Sequence, residues 1–307
     1  MPQILENLTR QELEALPKDR TVVLIPVGIL EDHGPHLPVG LDLQEATHLT
    51  YRVATELEAA APQWKCLIYP PTPLACDSNT DVFRTRVKGS VVREYLFGTC
   101  TSLYERGFRH FGILSGSWGP KQLTAIEEAG RAFVRWHNGF FLLKLRAPQR
   151  MVTFSSLSSA LLPPGEAWRS PLIADPAEHG GKRDVSVRLA MAPQDPVARP
   201  PLLAGPESKW SRWMLRLQSK REGYWGSDPE QASREEGEAW LQNSAQTLAA
   251  KLRRVIENGE KGDKVFRSNY GYFLPNYSSF HAFGWAMLGI IILLMWVSWT
   301  IQLLMFR

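Results

Sequence analysis

Acids and histidines crowd into one short run, Glu31-Asp32-His33-Gly34-Pro35-His36-Leu37-Pro38-Val39-Gly40-Leu41-Asp42. Carboxylates and imidazoles from such a loop, meeting ligands from a second loop, can hold two divalent ions about 3.5–4 Å apart and activate a water between them. Gly34, Pro35, Pro38 and Gly40 shape the run as a loop rather than a helix or strand. Two further stretches bear on the same chemistry: Ser115-Gly116-Ser117-Trp118-Gly119-Pro120, and Glu178-His179-Gly180-Gly181-Lys182-Arg183-Asp184-Val185-Ser186.

The elements that must position these residues are legible around them. Thr9 and Glu12 form a capping box at the start of a first helix. Thr21–Val27 is a continuous apolar run, as expected of a buried strand in a mostly parallel sheet. Apolar residues at helical spacing (Ala46, Leu49, Val53, Leu57) predict a helix over Leu43–Ala60, and Cys66–Tyr69 a second strand. Val91–Glu105 reads as a helix, and Phe111–Leu114 as the strand leading into Ser115–Pro120. Both candidate loops thus follow strands, and ligands in open α/β sheets gather at the carboxyl ends of strands. Further strands are expected at Phe140–Leu145 and Met151–Phe154, an extended loop over Ser155–Pro176, and an amphipathic helix over Ala232–Ile256.

The opening run resembles the first metal-binding segment of the creatininase family, amidohydrolases with a two-metal centre, whose pattern is roughly E-x-H-G-P-H-L-P-x-G-x-D. The resemblance implies a layered α/β/α fold around a mostly parallel sheet. It maps Glu31, His33 and Asp42 onto metal ligands, with Asp42 at the position that bridges the two ions. The family's second ligand loop reads N-G-H-x-x-N after a G-F-R-like turn. Here Gly107-Phe108-Arg109 supplies the turn, but Ser117 stands at the histidine position, and Gly119 stands where one subgroup has a glutamate. A neutral hydroxyl is a poor ligand beside imidazole, and glycine offers none.

The third stretch is similar to the family's E-H-A-G-E-x-E-T-S. Glu178 and His179 match the pair that handles protons, Lys182 replaces the first acid after the glycines, Val185 replaces the threonine, and Asp184 is the acid left. A lysine facing a dication adds repulsion on the order of several kcal/mol. Lys182 is therefore expected to serve as counter-charge to Glu31 and Asp42 in place of a metal. A fourth match, Gly223-Tyr224-Trp225-Gly226-Ser227-Asp228-Pro229 followed by Ala232 and Glu235-Glu236-Gly237, resembles the family's G-x-x-G-D-P-x-x-A-x-x-E-x-G with one residue inserted. Together the matches span about residues 5 to 257.

Beyond them the composition changes. Ala282–Phe306 carries no formal charge over 25 residues, enough for a bilayer crossing of about 20. The expected organisation is an α/β domain over 1–261, a linker over 262–280 and a transmembrane helix over 281–306. Trp285, Trp296 and Trp299 lie in the apolar run, and Gly284, Ala286 and Gly289 would permit a neighbouring helix to approach closely. Lys251, Arg253, Arg254, Lys261, Lys264 and Arg267 precede the span and only Arg307 follows, which places the large domain on the cytoplasmic side of a single-pass protein of the cell membrane. Nothing in MPQILENLTRQELEAL directs export. Cys66, Cys76 and Cys100 show no C-x-x-C spacing and read as reduced thiols. The net charge of +4 is explained by attraction of the basic flank to anionic lipid headgroups, without a nucleic-acid partner.

Two functions are expected of such a chain. One is a catalytically degenerate creatininase-like scaffold without a cofactor, docked by residues 281–306 among the integral subunits of a larger membrane complex, for instance a respiratory or photosynthetic one. The other is a membrane-anchored amidohydrolase in which Glu31, His33 and Asp42 hold one Zn or Mn ion and Glu178 and His179 do the proton chemistry on a cyclic or linear amide. The aromatic and basic stretch Lys209–Arg216 is a further candidate contact with headgroups or a partner.

Overall fold

The chain divides into two units, Met1–Arg267 and Ser268–Arg307, in a computed structural model that describes residues 2–78, 80, 82–137, 152–158, 179–194, 223–224, 227–258 and 278–305. In the first unit the elements run β1 (Gln3–Ile4), α1 (Arg10–Ala15), β2 (Thr21–Gly28), α2 (Leu41–Ala60), β3 (Lys65–Ile68), β4 (Thr72–Pro73), α3 (Gly89–Glu105), β5 (His110–Ser115), α4 (Pro120–His137), β6 (Thr153–Ser156), α5 (Lys182–Met191) and α6 (Arg234–Asn258). The second unit holds α7 (Ser278–Met305).

The sheet has the order β1-β3-β2-β5-β6, with β4 added beside the end of β2, and every pairing is parallel. All eight residues of β2 are buried, as befits a central strand covered on both faces. Its side chains alternate between two cores. Val23, Ile25 and Val27 pack with Val92 and Leu96 of α3 and Leu123, Ile126 and Phe133 of α4. Val22 and Leu24 pack with Leu49, Val53 and Leu57 of α2 and Ala245, Leu248 and Leu252 of α6. The result is the expected α/β/α layering. Pro26 is tolerated in this central strand because β3 pairs with residues 21–24 and β4 with 27–28, so its missing N–H falls in the gap between them.

Thr9 caps α1 through the capping box with Glu12. Helix α2 starts at Leu41, which puts Asp42 in its first turn. The structure adds α4, where the loop reading places no helix: Pro120 opens it, and Leu123, Ile126, Ala129 and Phe133 form its buried stripe. Ser155 and Ser156, expected in a loop, instead extend β6, because Gly112 and Ile113 of β5 offer them ladder partners. The expected strand at 140–145, the loop over 159–176, the linker over 262–277 and the Lys209–Arg216 stretch lie outside the described residues. The three cysteines are unbridged.

Helix α7 is 28 residues long. Its side chains are described from 287 to 300, and there the large apolar ones, Met287 through Trp299, are exposed. No helix among the described residues is long and apolar enough to cross a membrane. The span expected over 281–306 is not established by the fold.

Candidate metal centre

Strands β2 and β5 are neighbours in register to their ends, with Val27 opposite Ser115. The loops that leave their carboxyl ends therefore meet. Gly116 makes the approach possible, since a Cβ there would fall 1.8 Å from the Asp42 carbonyl oxygen. Beside it, Ser117 Oγ accepts from the Ile29 amide at 2.9 Å and donates to Asp42 Oδ2 at 2.9 Å. The third segment enters through Gly180, whose φ of +67° and close packing against the His33 carbonyl require glycine.

His33 is buried, with Nδ1 3.0 Å from the Glu31 carbonyl oxygen and Nε2 3.1 Å from Asp42 Oδ1. A carbonyl only accepts, so Nδ1 carries a proton and Nε2 faces the carboxylate. Burial is the largest influence and opposes a charge on the ring. Asp42, with Asp184 and Glu31 behind it, outweighs burial and lifts the imidazole to about 10. His179 stacks on His33 with ring centroids 4.1 Å apart. Its Nε2 donates to the Asp32 carbonyl at 2.7 Å, which leaves Nδ1 with the lone pair. Burial first, and then the charge on His33, push His179 down to about 4.

Glu31 is buried and accepts from Ser78 Oγ at 2.5 Å. Glu31, His33 and His179 each offer a ligand atom, all within 4.8 Å of one another. Of the expected Glu31, His33 and Asp42, the first two are in this set, and Asp42 lies beside it, with Oδ1 3.1 Å from His33 Nε2 and Oδ2 accepting from Ser117. His36 Nε2 donates to the Gly180 carbonyl at 2.8 Å, and the ring packs edge-on against Tyr224; burial pushes its pKa down.

Lys182 does not face Glu31 or Asp42. It begins α5 and pairs with Glu236 of α6 at 2.9 Å, partly in solvent, so the expected counter-charge role is corrected. The helix periodicity turns its neighbour inward instead. Arg183 joins buried Glu45 of α2 and Asp184, with its guanidinium 4.0 Å from the Trp240 ring and 5.1 Å from Trp118. Burial pushes Glu45 up to about 7 against the pull of Arg183. Asp184 is held low despite burial by Arg183, both histidines and the Gly180 amide, which donates to it at 2.8 Å. Glu178 lies outside the described residues. Sequence reasoning missed Ser78, Glu45 and Arg183. Ser78 sits in an ordinary polar loop with no motif to mark it, whereas a buried Glu45 on the inner face of α2 carried at least a periodicity signal.

The family model for creatininase, creatinine amidohydrolase, matches residues 6–252. The chain belongs to the creatininase family. A creatininase of Zn-Zn type is similar in fold, with a TM-score of 0.61 and 21% identity over 84% of this chain and 99% of that one. A creatinine amidohydrolase gives 0.60 and 21% over 83% and 98%. A Bacteroides fragilis protein described as a putative creatinine amidohydrolase gives 0.55 and 18% over 83% and 96%. No curated protein matches the chain. Solved creatininases include Zn-Zn and Mn forms, so the donor set must be tested against those ions. Two imidazoles and a carboxylate suit one zinc or manganese ion. They do not suit two, because Ser117 is committed to Asp42 and Gly119 has no side chain.

Proposed function

We propose that this creatininase-family chain is a catalytically reduced scaffold, which its C-terminal helix docks into a larger assembly of integral membrane subunits. The observation that carries the reading is the Ser117–Asp42–His33 chain. A hydroxyl occupies one oxygen of the would-be bridging carboxylate and a charged imidazole the other. Both oxygens of that carboxylate thus already have partners within the protein. The uncharged composition of 282–306 supports the membrane reading, with the basic flank at anionic headgroups and the large domain in the cytoplasm. A soluble amide hydrolase has no need of such a helix.

The second reading, a one-metal amidohydrolase, is favoured by the Glu31, His33 and His179 cluster. A zinc or manganese ion held there would supply Lewis-acid chemistry toward an amide carbonyl such as that of creatinine. Yet using His179 as a ligand removes it from the proton transfer that the family resemblance assigns to it. Metal analysis of the purified full chain, loaded with Zn or Mn and dialysed, is expected to find no more than one equivalent, with no hydrolysis of creatinine or linear amides. Two equivalents, or hydrolysis that Glu31→Gln abolishes, would refute the scaffold reading.

A further inference from the structure

The loop between β4 and α3 places Asp77 against Gly119. A Cβ built on Gly119 would lie 2.6 Å from Asp77 Oδ2 and 2.7 Å from both its Cγ and its Cβ. These are far inside the 3.5–4.0 Å of favourable carbon contacts. Because the Asp77 Cβ is among the three, rotating the carboxylate away does not relieve the overlap. Gly119 carries no positive φ, so its backbone alone does not demand glycine; the neighbour does.

Asp77 is also held in place. Its Oδ2 accepts from the Lys121 amide at 3.0 Å, at the start of α4 where the helix dipole favours a carboxylate. The Cys76 amide donates to Gln122 Oε1 at 3.0 Å, and Ser78 donates to Glu31 Oε2. The same short segment thus fills the space at position 119 and ties off an oxygen of the remaining carboxylate ligand.

We infer that Asp77 closes the second metal position by occupying the volume its missing ligand would need. The protein has lost a ligand and also rebuilt the space. Asp77 is not a ligand moved to a new position, since the group of ligand atoms found within 4.8 Å of one another among the described residues is Glu31, His33 and His179 and leaves it out. The inference rests on the reduced-centre reading of the site.

A double-mutant cycle tests it on the full-length protein. Gly119→Ala alone is expected to lower Tm by about 5 °C or more, and on an Asp77→Gly background by less than half as much. In a second arm, Ser117→His with Gly119→Glu is expected to hold no more than one equivalent of zinc while Asp77 is present, and two once Asp77→Gly is added. Additive thermal shifts in the cycle overturn the inference. So does a second equivalent bound with Asp77 intact, or a folded triple variant that takes up no second ion. Two equivalents on the unaltered protein would instead refute the reduced-centre reading, and the thermal cycle would still report on Asp77 and Gly119.

Discussion

The rings of His33 and His179 stack 4.1 Å apart with their planes inclined at 30°, yet the two histidines hold opposite protonation states at neutral pH. His33 is lifted to about 10 because Asp42 outweighs its burial, whereas His179 falls to about 4 because burial and the charged His33 act together. The carboxylates around the pair favour one buried imidazolium, and the charge on His33 together with burial disfavours a second.

The contribution of this pair to the stability of the metal-free protein should therefore be greatest near pH 6.5, on top of the slopes that burial of His110, pushed down to about 4, and of Glu45, pushed up to about 7, add below neutrality. His33 binds its proton more tightly folded than unfolded, so its contribution is complete below pH 6.5 and is lost as pH rises toward 10. His179 does the reverse: between pH 6.5 and 4 the unfolded chain takes up a proton that the folded chain refuses. Each limb has a slope of up to about 1.4 kcal/mol per pH unit. Urea titrations across pH 4–10 check this. His33→Gln should lessen the alkaline slope, and His179→Gln the acid slope, to which His110 also contributes; slopes unchanged by either substitution would discredit the assignment.

Ser117→Ala should destabilise the domain by about 1–3 kcal/mol, because it leaves the buried Ile29 amide without its acceptor and Asp42 Oδ2 without its donor. Thermal or chemical denaturation gives the number. A loss well under 0.5 kcal/mol would mean that Ser117 is a bystander to Asp42.

Arg183→Met should cost roughly 2–3 kcal/mol. That is below the 3–5 typical when a fully buried pair is broken, since about a third of the Arg183 side chain reaches solvent (32%), while Glu45 (3%) does not. Arg183→Lys should recover little, because a lysine cannot serve two carboxylates in a fork or offer a planar cation to the Trp118 and Trp240 rings. Full recovery by lysine in a denaturation assay would show that charge alone matters there.

Deleting residues 281–307 should release the domain from membranes without lowering the Tm of the first unit. Fractionation of cells carrying the full and shortened chains, followed by identification of co-purifying subunits, tests both the anchor and the docking. Retention of the shortened chain in the membrane fraction would remove the basis for a docking helix.

Much of the fold was legible because local rules agreed with the tertiary outcome. The Thr21–Val27 run could only be a covered strand, and the Thr9 and Glu12 pair could only start a helix. At the site, the motif spacing located Glu31, His33, Asp42, Ser117, Gly119 and His179. Lys182 was misread because a linear pattern aligns residue types but does not fix the face of a helix. A single step along α5 rotates the chain by about 100°, and it was Arg183 that turned to the carboxylates.

The amino-acid sequence by itself determined the family of this protein, the central strand and the presence of serine at 117 and glycine at 119, since these depend on residue identity and spacing. Only the tertiary structure decided which side chains these residues meet. Ser117 reaches Asp42, Ser78 reaches Glu31 and Asp77 fills the space beside Gly119 because parallel strands bring separate loops to one sheet edge. Partners 75, 47 and 42 residues apart in the chain leave no mark on local pattern.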